Sequence, residues 1–146
     1  NSNYRVQSSL WIPPVNHEVK MNVDGGFSKI GDRAASVVIC RDKRGMFLGA
    51  SAIIRDDLLD PAVLEAQACR EALSLAMDLH VQCICVASDC LEVVTNIEAG
   101  VPCQYFSILQ EIKHQRRSFH DVNFIYESRK HNGEDHALAK ATASLS

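Results

Sequence analysis

The chain has 146 residues, of which 47% are hydrophobic and 23% are charged, and its formal net charge is −3. This length and composition are typical of one globular domain with a real core, and they exclude a disordered or fibrous chain. The acidic balance argues against a general polyanion-binding protein, which would normally be basic overall, but it permits a local basic track.

Six cysteines occur without a CxxC pair, mostly inside apolar segments, at positions 40, 69, 83, 85, 90 and 103. This pattern is typical of buried thiols in a reducing compartment and not of a disulfide framework or a zinc site. The apolar stretches are far shorter than the roughly 18 residues of a membrane helix, and no charged-then-apolar leader precedes them. We therefore expect an intracellular protein, nuclear or cytoplasmic, that is neither secreted nor bound to a membrane.

The first half of the chain predicts a leader and three strands. Residues 1–17 are predicted to be an extended leader, because Pro13-Pro14 disfavours helix and strand pairing, and residues 18–146 are predicted to form the domain. The stretch VKMNVDGGF begins at Val19 and alternates apolar and polar side chains as a strand does. RAASVVICRD and GMFLGASAIIR are two more predicted strands, joined by a turn at residues 42–45, so the first three strands should form an antiparallel meander.

The second half alternates helices and strands. Pro61 opens a long predicted helix, PAVLEAQACREALSLAMDL, and VQCICVAS is nearly all apolar, as expected for a parallel strand buried on both faces. A short helix follows Asp89 and ends at Gly100, and a second covers about residues 104–119. The strand DVNFIYES and the helix EDHALAKATAS complete the pattern βββαβααβα. This order predicts an α/β domain with a mixed sheet and helices on its faces.

Three acids stand at positions where a carboxylate needs an explanation. Asp24 ends the first strand directly before two glycines, where it is either a turn residue or a ligand, since Asp is a poor strand residue. Glu65 lies three and four residues before Ala68 and Cys69, on the small-residue face of its helix. A lone carboxylate there needs a partner or a metal. The alternative is an exposed first turn, in which Glu65 favours the helix dipole. Asp89 follows a buried strand at the end where α/β sheets bind ligands, but Asp is equally a favoured helix N-cap.

Four segments together resemble a known family: WIPPVNHEVKMNVDGGF, PAVLEAQACREAL, VASDCLEVVTNI and RKHNGEDHALAK. They are similar to the ribonuclease H-like, reverse-transcriptase-type domain that is abundant in plant genomes and derived from retrotransposons. The family pattern reads W-x-P-P, K-x-N-x-D-G, A-E-A-x-A, S-D-x-x-x-V-V and R-x-x-N-x-x-A-D-x-L-A, in this order. The match covers essentially the whole chain. It implies an α/β ribonuclease H-like fold, with a five-stranded mixed sheet in the order 3-2-1-4-5 and helices on both faces.

The resemblance also implies a site and an activity. Asp24 and Asp89 would lie side by side at one sheet edge, with Glu65 reaching over from its helix. Such acids suit two divalent cations, and hard oxygen ligands favour Mg²⁺ or Mn²⁺. By family role, Asp24 would bridge both cations, while Glu65 and Asp89 would hold the one nearer the leaving 3′ oxygen. The implied substrate is the RNA strand of an RNA–DNA hybrid, recognised partly through its 2′-hydroxyls and cut to leave a 3′-hydroxyl and a 5′-phosphate.

The fourth ligand departs from the family pattern. Counted from Asn132, the family's acid falls at His136, and Asp135 occupies the position of the usual Ala. Either the register holds and His136 replaces the carboxylate, or the helix starts slightly shifted and Asp135 serves. Asp135 also suits a capping box with Asn132 as N-cap, and successive helical residues point about 100° apart, so both cannot serve equally. We favour His136, which similar family members also carry, over its other interpretation as a plain polar residue in a helix's first turn.

Further departures concern catalysis and nucleic-acid contacts. Tyr126 stands where the family has a His, six residues before that Asn, and nearby His131 is a weak candidate for proton handling. The predicted nucleic-acid contacts are Asn22, Gly25, Arg129, Lys130 and Asn132, with the glycine allowing a phosphate backbone to come close. The chain between positions 96 and 106 is too short for the basic extension that some ribonucleases H use to hold a hybrid, so we expect weak hybrid affinity.

Two classes of function therefore stay open. The first is a metal-dependent endonuclease acting on hybrids, favoured by Asp24, Glu65 and Asp89. The second is a transposon-derived binding or interaction module with little or no turnover, favoured by His136, Tyr126 and the acidic net charge. In both cases we expect the isolated domain to be a monomer.

Overall fold

The computed structural model describes residues 11–14, 18–27, 33–56 and 60–128. The elements in chain order are β1 (Val19–Phe27), β2 (Ala34–Arg41), β3 (Phe47–Arg55), α1 (Pro61–Asp78), β4 (Cys83–Ser88), α2 (Leu91–Ala99), α3 (Phe106–Arg116) and β5 (Asp121–Tyr126). Each agrees in type with the predicted element and differs from its predicted bounds by a few residues at most. The helix predicted over EDHALAKATAS and most of the leader fall outside the described residues.

The five strands form one sheet in the order β3-β2-β1-β4-β5. β2 is antiparallel to both β1 and β3, whereas β4 runs parallel to both β1 and β5. This confirms the predicted mixed sheet, its strand order and the antiparallel meander. The Asp42 carboxylate stabilises the turn between β2 and β3, since its Oδ1 accepts the backbone N–H groups of Arg44 and Met46.

The main hydrophobic core lies between the three described helices and one face of the sheet, and it draws side chains from β1, β2, β4 and β5. Small side chains on α1 allow close packing on this face, since Ala68, Cys69, Ala72 and Ala76 are fully buried. The predicted buried face of this helix is thereby confirmed. A smaller apolar cluster, formed by Ala35, Val37 and Ile39 of β2, lies on the second face.

The second face also carries buried polar side chains of β1. Lys20 pairs there with the Glu127 carboxylate and donates to the carbonyl of Ile12. The indole Nε1 of Trp11 donates to Asn22 Oδ1 at 3.1 Å. The described part of the leader therefore packs on β1, and the buried Lys20 is compensated by a carboxylate, as a buried charge must be.

Two further features bear on the expected compartment and membrane state. Cys40, Cys69 and Cys85 are buried thiols, and burial raises the pKa of Cys40 and of Cys85 to about 11. Within residues 60–128, which contain all the described helices, none is both long and apolar enough to cross a membrane.

Candidate metal centre

Three predicted site residues come together at one end of the sheet. Asp24 lies near the end of β1, Glu65 is near the start of α1, and Asp89 directly follows β4. Because β1 and β4 are parallel neighbours with Val23 opposite Ser88, the residues that follow these two emerge at the same edge. One carboxylate oxygen from each acid lies within 4.8 Å of those from the other two. The sheet register and the start of α1 thus bring the three acids into one cluster.

The positions and burial of the acids exclude several of the alternative interpretations given above. Asp24 is 1% exposed and Glu65 is 6% exposed, so Glu65 does not lie on an exposed first turn. Asp89 is half-buried, and the N-cap of α2 is Cys90, whose side chain makes no capping hydrogen bond. The N-cap interpretation of Asp89 is therefore wrong. Asp24 lies inside β1 opposite Val37 of β2, so its interpretation as a turn residue is wrong too. Buried carboxylates need compensation, which a cation can supply, and the role of the three acids as ligands stays a prediction.

Gly25 joins two of the acids through its backbone. Its N–H donates to Asp24 Oδ1 and to Glu65 Oε1, each at 2.8 Å. A Cβ at this position would lie 2.4 Å from Leu64 Cδ2 and 2.6 Å from Leu64 Cγ, and Leu64 is itself 1% exposed. The absence of a side chain thus lets α1 approach β1 closely enough for Glu65 to reach the strand end. A contact between Gly25 and a phosphate stays a prediction.

Ser88 holds the other oxygen of Glu65 and was not among the predicted site residues. Its hydroxyl donates to Glu65 Oε2 at 2.8 Å and accepts the backbone N–H of Cys90 at 3.1 Å. Ser88 is 1% exposed. The available signal was a hydroxyl at the end of an apolar strand, directly before an acid, because a buried hydroxyl requires a partner.

The environment of Glu65 favours its protonated form. Burial raises the pKa of Glu65 from 4.5 to about 9, and the hydrogen bond with Asp24 and the negative charges of Asp24 and Asp89 act in the same direction. The hydrogen bond from Ser88 acts in the opposite direction. Carboxylates this close repel one another unless a proton or a cation lies between them. An all-oxygen, acidic donor set is the one that Mg²⁺ and Mn²⁺ prefer, so the residues present fit such cations.

The remaining predicted residues do not all join this cluster. Asn22 is 1% exposed on β1, and its side chain contacts Trp11 at 3.1 Å and Glu127 at 3.5 Å. A contact between Asn22 and nucleic acid, which stays a prediction, requires Trp11 to move. Tyr126 is 49% exposed at the end of β5. The other predicted residues fall outside the described residues, and these are Arg129, Lys130, His131, Asn132, Asp135 and His136.

Known structures share this fold at low sequence identity. RNase H1 from the halophilic archaeon Halobacterium salinarum NRC-1 is 17% identical with a TM-score of 0.75, and the match covers 86% of this chain and 96% of that chain. The N-terminal RNase H domain of rv2228c from Mycobacterium tuberculosis is 17% identical with a TM-score of 0.75, covering 88% and 94%. LC11-RNase H1, isolated from compost by a metagenomic approach and crystallised with an RNA/DNA hybrid, is 19% identical with a TM-score of 0.72, covering 86% and 96%.

These likenesses confirm the RNase H-like fold that the resemblance of the sequence segments implied. No sequence among the curated proteins matches the chain. The profile of the family described as reverse transcriptase-like matches residues 22–142, which include most of β1, the three acids and all the described helices. The chain therefore belongs to the reverse transcriptase-like family.

Proposed function

We propose that this chain binds RNA–DNA hybrids and hydrolyses their RNA strand endonucleolytically with Mg²⁺ or Mn²⁺. The observation that carries the proposal is the convergence of Asp24, Glu65 and Asp89 at one sheet edge of an RNase H-like fold. His136 is proposed as the fourth ligand, with Asp135 as the alternative. The family match and the hybrid bound to LC11-RNase H1 support the assignment of nucleic acid as the partner.

Two divalent cations held by these ligands would activate a water molecule and stabilise the leaving 3′ oxygen. The side chains contribute orientation and a low-dielectric environment. Gly25 N–H fixes one oxygen of Asp24 and one of Glu65, and Ser88 fixes the second oxygen of Glu65. Because both oxygens of Glu65 are held by groups on the sheet, its carboxyl group is oriented before any ligand arrives, which lowers the reorganisation needed for catalysis.

The exposure of the acids sets the side from which substrate would approach. Asp24 and Glu65 are buried, whereas Asp89 is half-buried, so we propose that substrate approaches from the side of Asp89. Arg129, Lys130 and Asn132 are proposed to contact the hybrid backbone, together with Gly25 and Asn22 of β1, and His131 is proposed for proton handling. We further propose that the domain acts as an intracellular monomer of plant retrotransposon origin.

Cleavage of an end-labelled RNA–DNA hybrid in Mg²⁺ or Mn²⁺ tests the proposal. We expect the wild type to produce fragments with 3′-hydroxyl and 5′-phosphate ends, and Asp24→Asn to lose this activity while remaining folded by circular dichroism. Glu71→Gln is the matched control, because it makes the same kind of change on α1 at a carboxylate that contacts Ser51 and not the acid cluster. A folded wild type without cleavage in either cation would contradict the proposal.

The alternative is a transposon-derived module that binds nucleic acid, or another partner, with little or no turnover. Tyr126 favours it, since this residue stands in place of the family's His. Hybrid binding measured by fluorescence anisotropy in the same samples separates the two functions. Binding without cleavage supports the module, whereas cleavage that depends on Asp24 supports the enzyme.

A further inference from the structure

The hydroxyl of Ser88 makes two hydrogen bonds, one to the site acid Glu65 and one to the backbone next to the site acid Asp89. It donates to Glu65 Oε2 at 2.8 Å, and Ser88 Oγ accepts the Cys90 N–H at 3.1 Å. The second contact closes a turn around Asp89, because it joins the residue before Asp89 to the residue after it. One buried hydroxyl therefore contacts a ligand from α1 and restrains the backbone that carries a ligand after β4.

The two contacts together define the direction of the hydroxyl proton. Since the Cys90 N–H donates to the Ser88 oxygen, the Ser88 O–H is free to donate, and Glu65 Oε2 is the acceptor within reach. The other oxygen of Glu65 is already held by Gly25 N–H at 2.8 Å. A glutamate side chain has three rotatable bonds, and hydrogen bonds at both oxygens, from two different strands, leave it one orientation.

We propose that Ser88 is a positioning residue for the cation site, which sets the orientation of Glu65 and its spacing from Asp89. This inference rests on the proposed function, because it assumes that the acids bind divalent cations. Ser88 acts through Glu65 and through the turn at Asp89, and it does not itself bind the cation or the substrate. Groups that orient ligands in this way affect cation affinity by about 10- to 100-fold.

Ser36 of β2, a strand separated from β4 by β1, offers a matched control. It is 1% exposed, as Ser88 is, and its hydroxyl donates to the backbone carbonyl of Leu64 at 3.3 Å. Removing it deletes a buried hydroxyl bonded to the residue next to Glu65, but it leaves the carboxylate and the turn at Asp89 untouched. Ser36→Ala thus shows how much the loss of a buried hydroxyl near α1 affects Mn²⁺ binding when the contacts of Ser88 are intact.

Calorimetric titration of Mn²⁺ into the purified chain, without nucleic acid, tests the inference. We expect Ser88→Ala to bind Mn²⁺ about 10- to 100-fold more weakly than the wild type, and Ser36→Ala to bind it as the wild type does. Ser88→Thr, which keeps the hydroxyl, should recover most of the affinity. In cleavage assays at saturating hybrid, Ser88→Ala should need a higher Mn²⁺ concentration than the wild type for half-maximal rate. When the hybrid concentration is varied instead, the KM for the hybrid should change less.

The outcomes separate this inference from the proposed function. If the wild type binds no Mn²⁺ and cleaves no hybrid, the proposed function fails, and the inference falls with it. If the wild type binds Mn²⁺ and Ser88→Ala binds it equally well, the inference alone is overturned. Ser88→Cys, which keeps the size of the side chain but donates weakly, is measured beside Ser88→Ala, so that a folding defect in the alanine variant still leaves a decisive comparison.

Discussion

The protonation of Glu65 predicts how the stability of the cation-free protein changes with pH. The pKa of Glu65 rises from 4.5 to about 9 on folding, chiefly because the carboxyl is buried. A pKa raised on folding means that the folded state holds the proton more tightly than the unfolded state. The stabilisation is fully present below pH 4.5 and is lost as the pH rises toward about 9. The free energy of unfolding should therefore fall across this range when no cation is present.

The magnitude follows from the separation of the two pKa values. Between these two values, each unit of pH lowers the free energy of unfolding by about 1.4 kcal/mol. Raising the pH from about 5 to about 8 therefore lowers it by up to about 4 kcal/mol. This is a large part of the 5–15 kcal/mol or so that stabilises a typical domain. Glu65→Gln replaces the protonated carboxyl by a neutral amide of similar shape, so this variant should lose much less stability over the same range.

Urea unfolding followed by circular dichroism in EDTA measures this difference. The slope of stability against pH is the readout, because the glutamine amide also rearranges its bonds to Gly25 and Ser88 by an amount that pH does not change. Glu71→Gln, the control on the same helix, should keep the wild-type slope. If Glu65→Gln and the wild type lose stability in parallel, Glu65 does not titrate in this range and the reasoning is refuted. Adding Mn²⁺ near pH 8 should restore stability to the wild type more than to Glu65→Gln.

Three further predictions concern other parts of the site and its support. Gly25→Ala should lower the free energy of unfolding by about 1–3 kcal/mol through overpacking against α1, and should weaken Mn²⁺ binding; an unchanged urea midpoint would contradict the close approach. Lys20→Met should cost about 3–5 kcal/mol in the same urea assay by leaving Glu127 buried without its partner, and adding Glu127→Leu should recover much of this; a loss that persists in the double variant would argue against the pair. His136→Ala should weaken Mn²⁺ binding in calorimetric titrations more than Asp135→Asn does, and wild-type binding should decline below about pH 6.5; the reverse order of the two variants would assign the ligand to Asp135.

The elements of the fold could be predicted because their signals are local, whereas the strand order was implied by the resemblance to a known family. Alternation in β1, the apolar run of β4 and Pro61 at the start of α1 each identify an element within a short window. Glu65 could be placed on a buried face from helical periodicity alone, since its neighbours on that face are small and apolar. These signals depend on residues close in sequence, and so they can be recognised without any knowledge of how the elements pack.

The contacts that hold the site could not be predicted in the same way. Ser88 reaches Glu65 across 23 positions of sequence, and Gly25 reaches it across 40. The two contacts depend on how closely α1 packs on β4 and on β1, respectively, which no local pattern encodes. The burial of Asn22 under Trp11 is another long-range result, because the leader was predicted from its prolines to be extended and nothing in it indicated where it would pack.

The charge of the proposed ligand set links the burial of the acids to the cations they would hold. Asp24, Glu65 and Asp89 supply at most three negative charges, and a neutral His136 in place of the family's acid adds none. Two divalent cations carry four positive charges, so the phosphate of a bound hybrid must supply part of the balance. We therefore expect Mn²⁺ titration of the free chain to fill one site, and a second to fill only when a hybrid is present. Two tight sites in the free chain would show that a fourth carboxylate, such as Asp135, completes the set.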